Sequence, residues 1–383
     1  MNKIILSIIT IATMATVTMA NEIENKNEAE DKNEFLDRFH AKGDLRLRYE
    51  SIEREDYDTV IDDKNKYRAR YRLRYNLDVD ITDALMLESA ISSGKGNPTS
   101  GNVTIKDDEN IKDYFFEVIK IDIVDLVYKF DNNWLRAGKS KHHIYRPIKT
   151  QLIWDNDIRF EGVNYGYKDD TKNFRLGVNR VHRLKEGSDS TGDIYMYIAQ
   201  YVQTMKLDTA KINMGAGFYY YDGVKGNSSA YGKFKGNTKD ANGLYANNYN
   251  ILEGFSELKL KDIFGKPFKV AATVAYNTAA SNDNFGYDIS MQLGDTKKVD
   301  DWKVGYTYRD VQKDAVFGAH NDSDFIDGGT DGKGHILTGK YKFAKNVDFG
   351  AYFQWAQLGE DKSSINGMKP DFNRMQLDVI LKF

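Results

Sequence analysis

From Tyr67 to Ile81 the chain alternates without a break. The odd positions, Tyr67, Ala69, Tyr71, Leu73, Tyr75, Leu77, Val79 and Ile81, are apolar or aromatic. The even positions, Arg68, Arg70, Arg72, Arg74, Asn76, Asp78 and Asp80, are polar. A helix returns to one face every 3.6 residues, so a strict period of two belongs to an extended strand with one apolar and one polar side. A globular strand usually has about 5–6 residues, and this run has 15. A strand that crosses a bilayer needs about 9–11.

The same rhythm returns along the chain. Leu45, Leu47 and Tyr49 alternate with Asp44, Arg46, Arg48 and Glu50. Phe268, Val270, Ala272, Val274 and Tyr276 form one side of another run, and Met375, Leu377, Val379, Leu381 and Phe383 close the chain. Sixteen strands are expected, near 41–50, 66–81, 84–92, 116–130, 134–140, 158–167, 173–182, 193–203, 210–221, 249–260, 267–277, 284–294, 301–311, 334–343, 347–357 and 373–383. In the fourth, the phase shifts between Ile123 and Val124, which predicts a β-bulge there.

The connections alternate between short and long. Thr82-Asp83, Asp131-Asn132-Asn133 and Ala344-Lys345-Asn346 are short, while Ser93 to Phe115, Asp222 to Asn248 and Gln312 to Lys333 are long. Tight periplasmic turns and long external loops are the signature of an outer-membrane barrel. The four prolines, Pro98, Pro147, Pro267 and Pro370, fall in loops or at a strand start, where no ladder donor is lost.

Residues 1–20 read as a secretory signal: Lys3, the apolar stretch from Ile4 to Ile11, then small residues around Thr18 and Ala20. Residues 21–39 form a polar lead-in expected in the periplasm, and 40–383 the barrel. Losing Lys3 takes the formal charge from −3 to −4, so no basic excess points to nucleic acid. The absence of cysteine rules out a disulfide framework and a lipidated N-terminus. A mean hydropathy of −0.61 would suit a soluble periplasmic protein, but 25 Tyr and 20 Phe suit the aromatic girdles of a membrane barrel.

Alternation alone does not separate the two, because a β-sandwich uses the same pattern with its apolar side inward. Strand length, turn asymmetry, the signal and the terminal aromatic favour the membrane. There, only a closed barrel pairs every backbone group. With sixteen strands the lumen is too wide for wall side chains to fill, so a passive, water-filled channel is expected.

From Trp154 onward the sequence resembles the bacterial putative-porin family. The resemblance is carried by Trp154-Asp155-Asn156-Asp157, Glu161-Gly162-Val163-Asn164, Asp301-Trp302-Lys303-Val304-Gly305-Tyr306 and Tyr308-Arg309-Asp310. It continues through Asp314-Ala315-Val316, Asp322-Ser323-Asp324-Phe325, Gly328-Gly329-Thr330, Gly334-His335, Gln376-Leu377-Asp378 and Lys382-Phe383. It implies a sixteen-stranded general porin in the outer membrane of a Gram-negative bacterium, in contact with lipid and lipopolysaccharide; the sequence leaves the oligomeric state open, with a homotrimer one form by analogy to general porins. The resemblance also implies that barrel-assembly machinery reads the C-terminal strand ending in Phe383.

The candidate pore residues follow from the alternation. Arg68, Arg70, Arg72 and Arg74 form one column, with Arg46 and Arg48 on the neighbouring strand. On the lipid side each would cost about 2–4 kcal/mol at the midplane, so they are expected inside, as a basic wall that attracts anions. The bland alternative is pairing with Asp44, Glu50, Asp78 and Glu88. Asp78 and Glu88 are also expected to line the pore. Asp155 and Asp157 lie in the third external loop, 141–157, which family resemblance implies folds into the pore. His142-His143 makes a poor metal pair, since neighbours on an extended chain point oppositely. Asp322, Asp324, Asp327 and Asp331 lack the closing Glu of a calcium loop and read as turn formers. No catalytic constellation or cofactor is expected. A surface adhesin or receptor, and less readily a barrel enzyme, are the alternative functions.

Overall fold

The computed structural model describes residues 35–55, 65–94, 99–105, 119–182, 192–362 and 367–383. The strands are β1 (Phe39–Arg54), β2 (Lys66–Asp80), β3 (Leu85–Ser93), β4 (Val103–Thr104), β5 (Ile119–Phe130), β6 (Asn133–Lys141), β7 (Arg159–Lys168), β8 (Lys172–His182), β9 (Ile194–Lys206), β10 (Ala210–Asp222), β11 (Tyr249–Ile263), β12 (Lys266–Asn277), β13 (Phe285–Gly294), β14 (Trp302–Val311), β15 (Gly332–Ala344), β16 (Val347–Leu358) and β17 (Asp371–Lys382). Sixteen of them have nine residues or more. The two-residue β4 was not expected; it pairs with Arg70 and Tyr71 of β2, above the end of β3.

Each long strand runs antiparallel to the next, and β1 pairs with both β2 and β17, so the sheet closes into a barrel. At the seam Asp44 lies opposite Lys382 and Arg54 opposite Phe372. Beyond β17, Phe383 and Gly43 exchange backbone hydrogen bonds of 2.7 and 3.1 Å. A Cβ on Gly43 would run into the Phe383 ring, so any larger residue there would require the terminal aromatic to tilt aside.

The bulge lies one residue earlier than expected. Ala90 opposes Ile123 while Ile91 opposes Ile121, which leaves Asp122 as the extra residue. Asp122 and Ile123 are consecutive and both buried, because Asp122 turns inward to Arg159 at 2.7 Å.

Exposure decides between barrel and sandwich. Leu47, Leu73 and Leu377 are 44–46% exposed, while Glu50, Arg374 and Gln376 on the other side of the same strands are 0–4% exposed. The apolar side faces outward and the polar side inward, the reverse of a soluble domain.

The lumen is more filled than strand count suggested. Loops fold into the end that carries the long connections. Trp154 and Ile158 between β6 and β7, Tyr245 between β10 and β11, and Phe317 and Phe325 between β14 and β15 pack on Tyr219, Tyr221 and Phe372 of the walls as one buried apolar cluster. These connections are called loops 3, 5 and 7 by their order among the long connections.

Candidate functional site

The arginine column stands where the alternation put it, on the inward side of β1 and β2. In register, Arg46 opposes Arg72 and Arg48 opposes Arg70. Like charges directly opposite one another destabilise a sheet, and here carboxylates from three directions offset the repulsion. From the wall, Asp378 pairs with Arg48 at 2.7 Å and Arg46 at 3.8 Å. Glu50 takes Arg68 and, at 3.3 Å, Arg70, and Asp44 takes Arg72 at 2.7 Å. From loop 3, Asp157 meets Arg74 at 2.7 Å and Arg72 at 3.8 Å. From loop 7, Asp324 reaches Arg48 at 3.5 Å. Every guanidinium of the column therefore has a carboxylate.

Loop 3 crosses from this wall to the far one. Arg146 holds its return limb, donating to the Trp154 carbonyl at 2.9 Å and to Asn156 at 2.6 Å. The tip, Pro147–Lys149, has positive φ at Ile148 and Lys149. The Ile148 N–H donates to Glu257 of β11 at 3.1 Å, and the Thr150 hydroxyl bonds Asp288 of β13. Tyr145 bonds Glu257 through its hydroxyl, and its N–H donates to Gln200 of β9 at 2.8 Å. Loop 3 thus bridges β2 to β9, β11 and β13.

Loop 7 is held by Arg374 of β17, which contacts Asp324 at 3.4 Å, Asp327 at 3.2 Å and Glu50 at 3.7 Å. Arg309 of β14 clamps Asp288 and Asp322, each at 2.8 Å. Loops 3 and 7 also meet directly. The Ser323 N–H donates to Asp155, and the Asp155 N–H to the His320 carbonyl, both at 2.8 Å.

The expected acidic residues separate into different environments. Asp157 joins the arginine column. Asp155 does not; it lies between loops 3 and 7. Burial alone would raise the Asp157 carboxyl, but the Arg74 and Arg72 guanidiniums outweigh it and hold it well below the ordinary range. Burial, with Asp157 and Asp322 close by, pushes Asp155 well above. Neither Asp78 nor Glu88 serves the column as the pairing alternative supposed. Asp78 bonds Lys42 at 2.8 Å, and Glu88 bonds Arg136 at 2.8 Å beside Asp125. Both sit nearer the short turn after β2, where Arg68 to Arg74 do not reach.

The reading from sequence missed Asp378, Arg374 and Asp324. The first two share the inward phase of the last strand with Gln376, so the signal was present. Asp324 is placed by a fold-back of loop 7 that no local pattern encodes. His142 and His143 are turned to the Phe160 and Trp134 rings respectively. Among the described residues no group of three or more His, Cys, Asp or Glu is placed to hold a metal.

The putative-porin family model matches residues 53–267 and 254–383. No curated protein matches the sequence. Pseudomonas putida OprB, in its high-pH structure, has a TM-score of 0.59 at 11% identity, over 92% of this chain and 96% of that one. Salmonella typhi OmpF, in complex with daunomycin, has a TM-score of 0.52 at 11% identity, over 90% of this chain and 97% of that one. At such identity the likeness is one of fold, and it agrees with the closed sixteen-strand barrel. With the family model spanning nearly all of that barrel, the chain belongs to the putative-porin family and is a porin of the Gram-negative outer membrane.

Proposed function

We propose that this porin is a general diffusion channel for ions and small hydrophilic solutes, with no catalytic role, and that its constriction lies between the arginine column and loops 3 and 7. Arg46, Arg48, Arg68, Arg70, Arg72 and Arg74 line one side, with Asp157 and Asp324 against them. The column holds the loops inward as well as shaping the field near it. The observation that carries the reading is loop 3 itself, ion-paired to β2 through Asp157 and hydrogen-bonded to the far wall through Ile148 and Thr150. A loop fixed at both sides of a wide barrel narrows it to a set width.

Liposome swelling with sugars of graded size tests this. The protein should admit small sugars, at rates that fall steeply with size. Shortening loop 3 by its tip, Pro147–Lys149, should raise conductance and the size limit. Barrels that insert but pass no sugar would sink the channel reading in favour of an adhesin or receptor.

We also propose a homotrimer. On the outer surface, small residues Ala69, Gly339, Gly350 and Ala351 lie among Leu47, Phe349 and Leu377 in an apolar groove that runs across β14 to β17, β1 and β2. A second copy seated there would cover the seam strands.

A further inference from the structure

The wall from β10 to β15 carries a second basic array, which the constriction does not use. Lys211 (β10), Lys259 (β11), Lys269 (β12), Lys303 (β14) and Lys340 (β15) all take the inward phase of their strands. In register, Lys211 opposes Lys259, Lys259 opposes Lys269, and Lys303 opposes Lys340. Cross-strand like-charge pairs cost stability, and three of them lie in this one wall near the short periplasmic turns. From above, Lys149 at the loop 3 tip adds to the repulsion felt by Lys269 and Lys303.

Neutralisation differs sharply from that of the arginine column. Lys259 has Glu257 at 3.1 Å, and Lys340 has Asp348 at 2.8 Å. Asp348 is further shared with Lys342 at 3.5 Å and Lys382 at 2.6 Å. Asp295, the other carboxylate near Lys269, is bound to Lys297 at 2.9 Å. Among the described residues, Lys149, Lys211, Lys269 and Lys303 make no ion pair. The arginines, by contrast, are all paired. Fields from paired charges cancel within a short distance, while unpaired ammoniums on one low-dielectric wall sum.

We propose that this lysine belt is a binding site for small anions of two or more charges, on the periplasmic side of the constriction, and that it, more than the arginine column, sets the charge preference of the channel. The proposal goes beyond the place of the constriction and rests only on the chain being a channel. A monovalent anion meets one ammonium at a time. A divalent oxyanion can engage two, so the belt should favour it over chloride.

Planar-bilayer recording of the full-length protein in KCl, with inorganic phosphate as the probe, tests this. Phosphate should reduce the chloride current of the unaltered channel in a saturable way. Lys269→Gln with Lys303→Gln should weaken the apparent phosphate affinity about tenfold and move the zero-current potential in a salt gradient toward cations. Lys269→Arg with Lys303→Arg should retain the block. Removing mutually repelling lysines should leave the thermal stability of the barrel unchanged or raised. If the double Gln variant does not insert, Lys149→Gln on the loop gives the same readout and should weaken block severalfold. A conducting channel without phosphate block overturns the belt and leaves the channel reading intact. So does block that survives every lysine substitution, or that is lost equally in Lys269→Arg with Lys303→Arg. A protein that inserts and does not conduct overturns the channel reading itself.

Discussion

Asp157 is the most consequential single residue of the inward loops. It is the loop 3 group that touches the arginine column, and two guanidiniums share it. Asp157→Asn keeps the shape and removes the charge. It should loosen the loop by roughly 1–3 kcal/mol, the scale of a charge-assisted hydrogen bond, and single-channel records should show larger, noisier openings. A trace identical to that of the unaltered protein would mean that the far-wall bonds alone hold the loop. The pH response follows from sign. The docked carboxyl has its proton affinity lowered below that of a free carboxylate near about 3.9. Docking therefore gains stability above that value and loses it only as pH falls through the lowered one. Asp157 itself should contribute no conductance step between about pH 8 and about pH 5; a step in that window that Asp157→Asn abolishes would contradict the pairing. At this scale, position was legible and partnership was not. The phase of β1 and β2 placed six arginines inside, but Asp78 on β2 and Glu88 on the inward side of β3 pair with Lys42 and Arg136 instead.

Among elements, the strands were legible to within four residues at each end, because lipid outside and water inside demand a period of two over the whole span. Register can be checked directly. Single cysteines at 71 and 73 should resist a small water-soluble thiol reagent, while those at 70 and 72 should react through the lumen. The reverse pattern would mean a one-residue slip, which exchanges the two sides of the barrel. The bulge at Asp122 shows the limit of pattern reading. Two consecutive inward residues mark it, yet Asp122 and Ile123 differ in polarity, so polarity alone misplaced the shift by one position. The loops were less legible still. Loop 7 read as turn-forming Asp and Gly, and Asp322 does accept from the Asp324 N–H at 2.9 Å. What the pattern did not encode is that Asp322, Asp324 and Asp327 are also held by Arg309 and Arg374, residues that precede and follow the loop on separate strands.

For the whole molecule, two features bear on assembly. The outer groove across the seam predicts self-association. Gly339→Trp and Ala351→Trp, placed in the groove, should shift detergent-solubilised protein from trimer to monomer in native mass spectrometry, with the barrel still folded. A trimer that survives both would place the subunit contact elsewhere. The C-terminal aromatic bears on insertion. Deleting Phe383 removes two backbone hydrogen bonds to Gly43 and the ring that fills its notch, and should lower the amount of barrel in the outer membrane while chain accumulates in the periplasm. Gly43→Ala should do the same more mildly, since the ring could still tilt aside.

The seam also fixes an order in time. Arg48 and Asp378, 330 positions apart, meet there, and β1 has no partner on that side until the last twelve residues have been made. Until then each growing sheet carries two open edges, a template for pairing with any other chain. The mean separation of contacting residues is small inside each hairpin, but the closing contact has nearly the largest the chain permits, and its loop entropy comes due all at once. The closure seen here is available only once β17 exists. A truncation at any turn that removes β17 should therefore yield a substrate for chaperones and proteases and not a smaller pore.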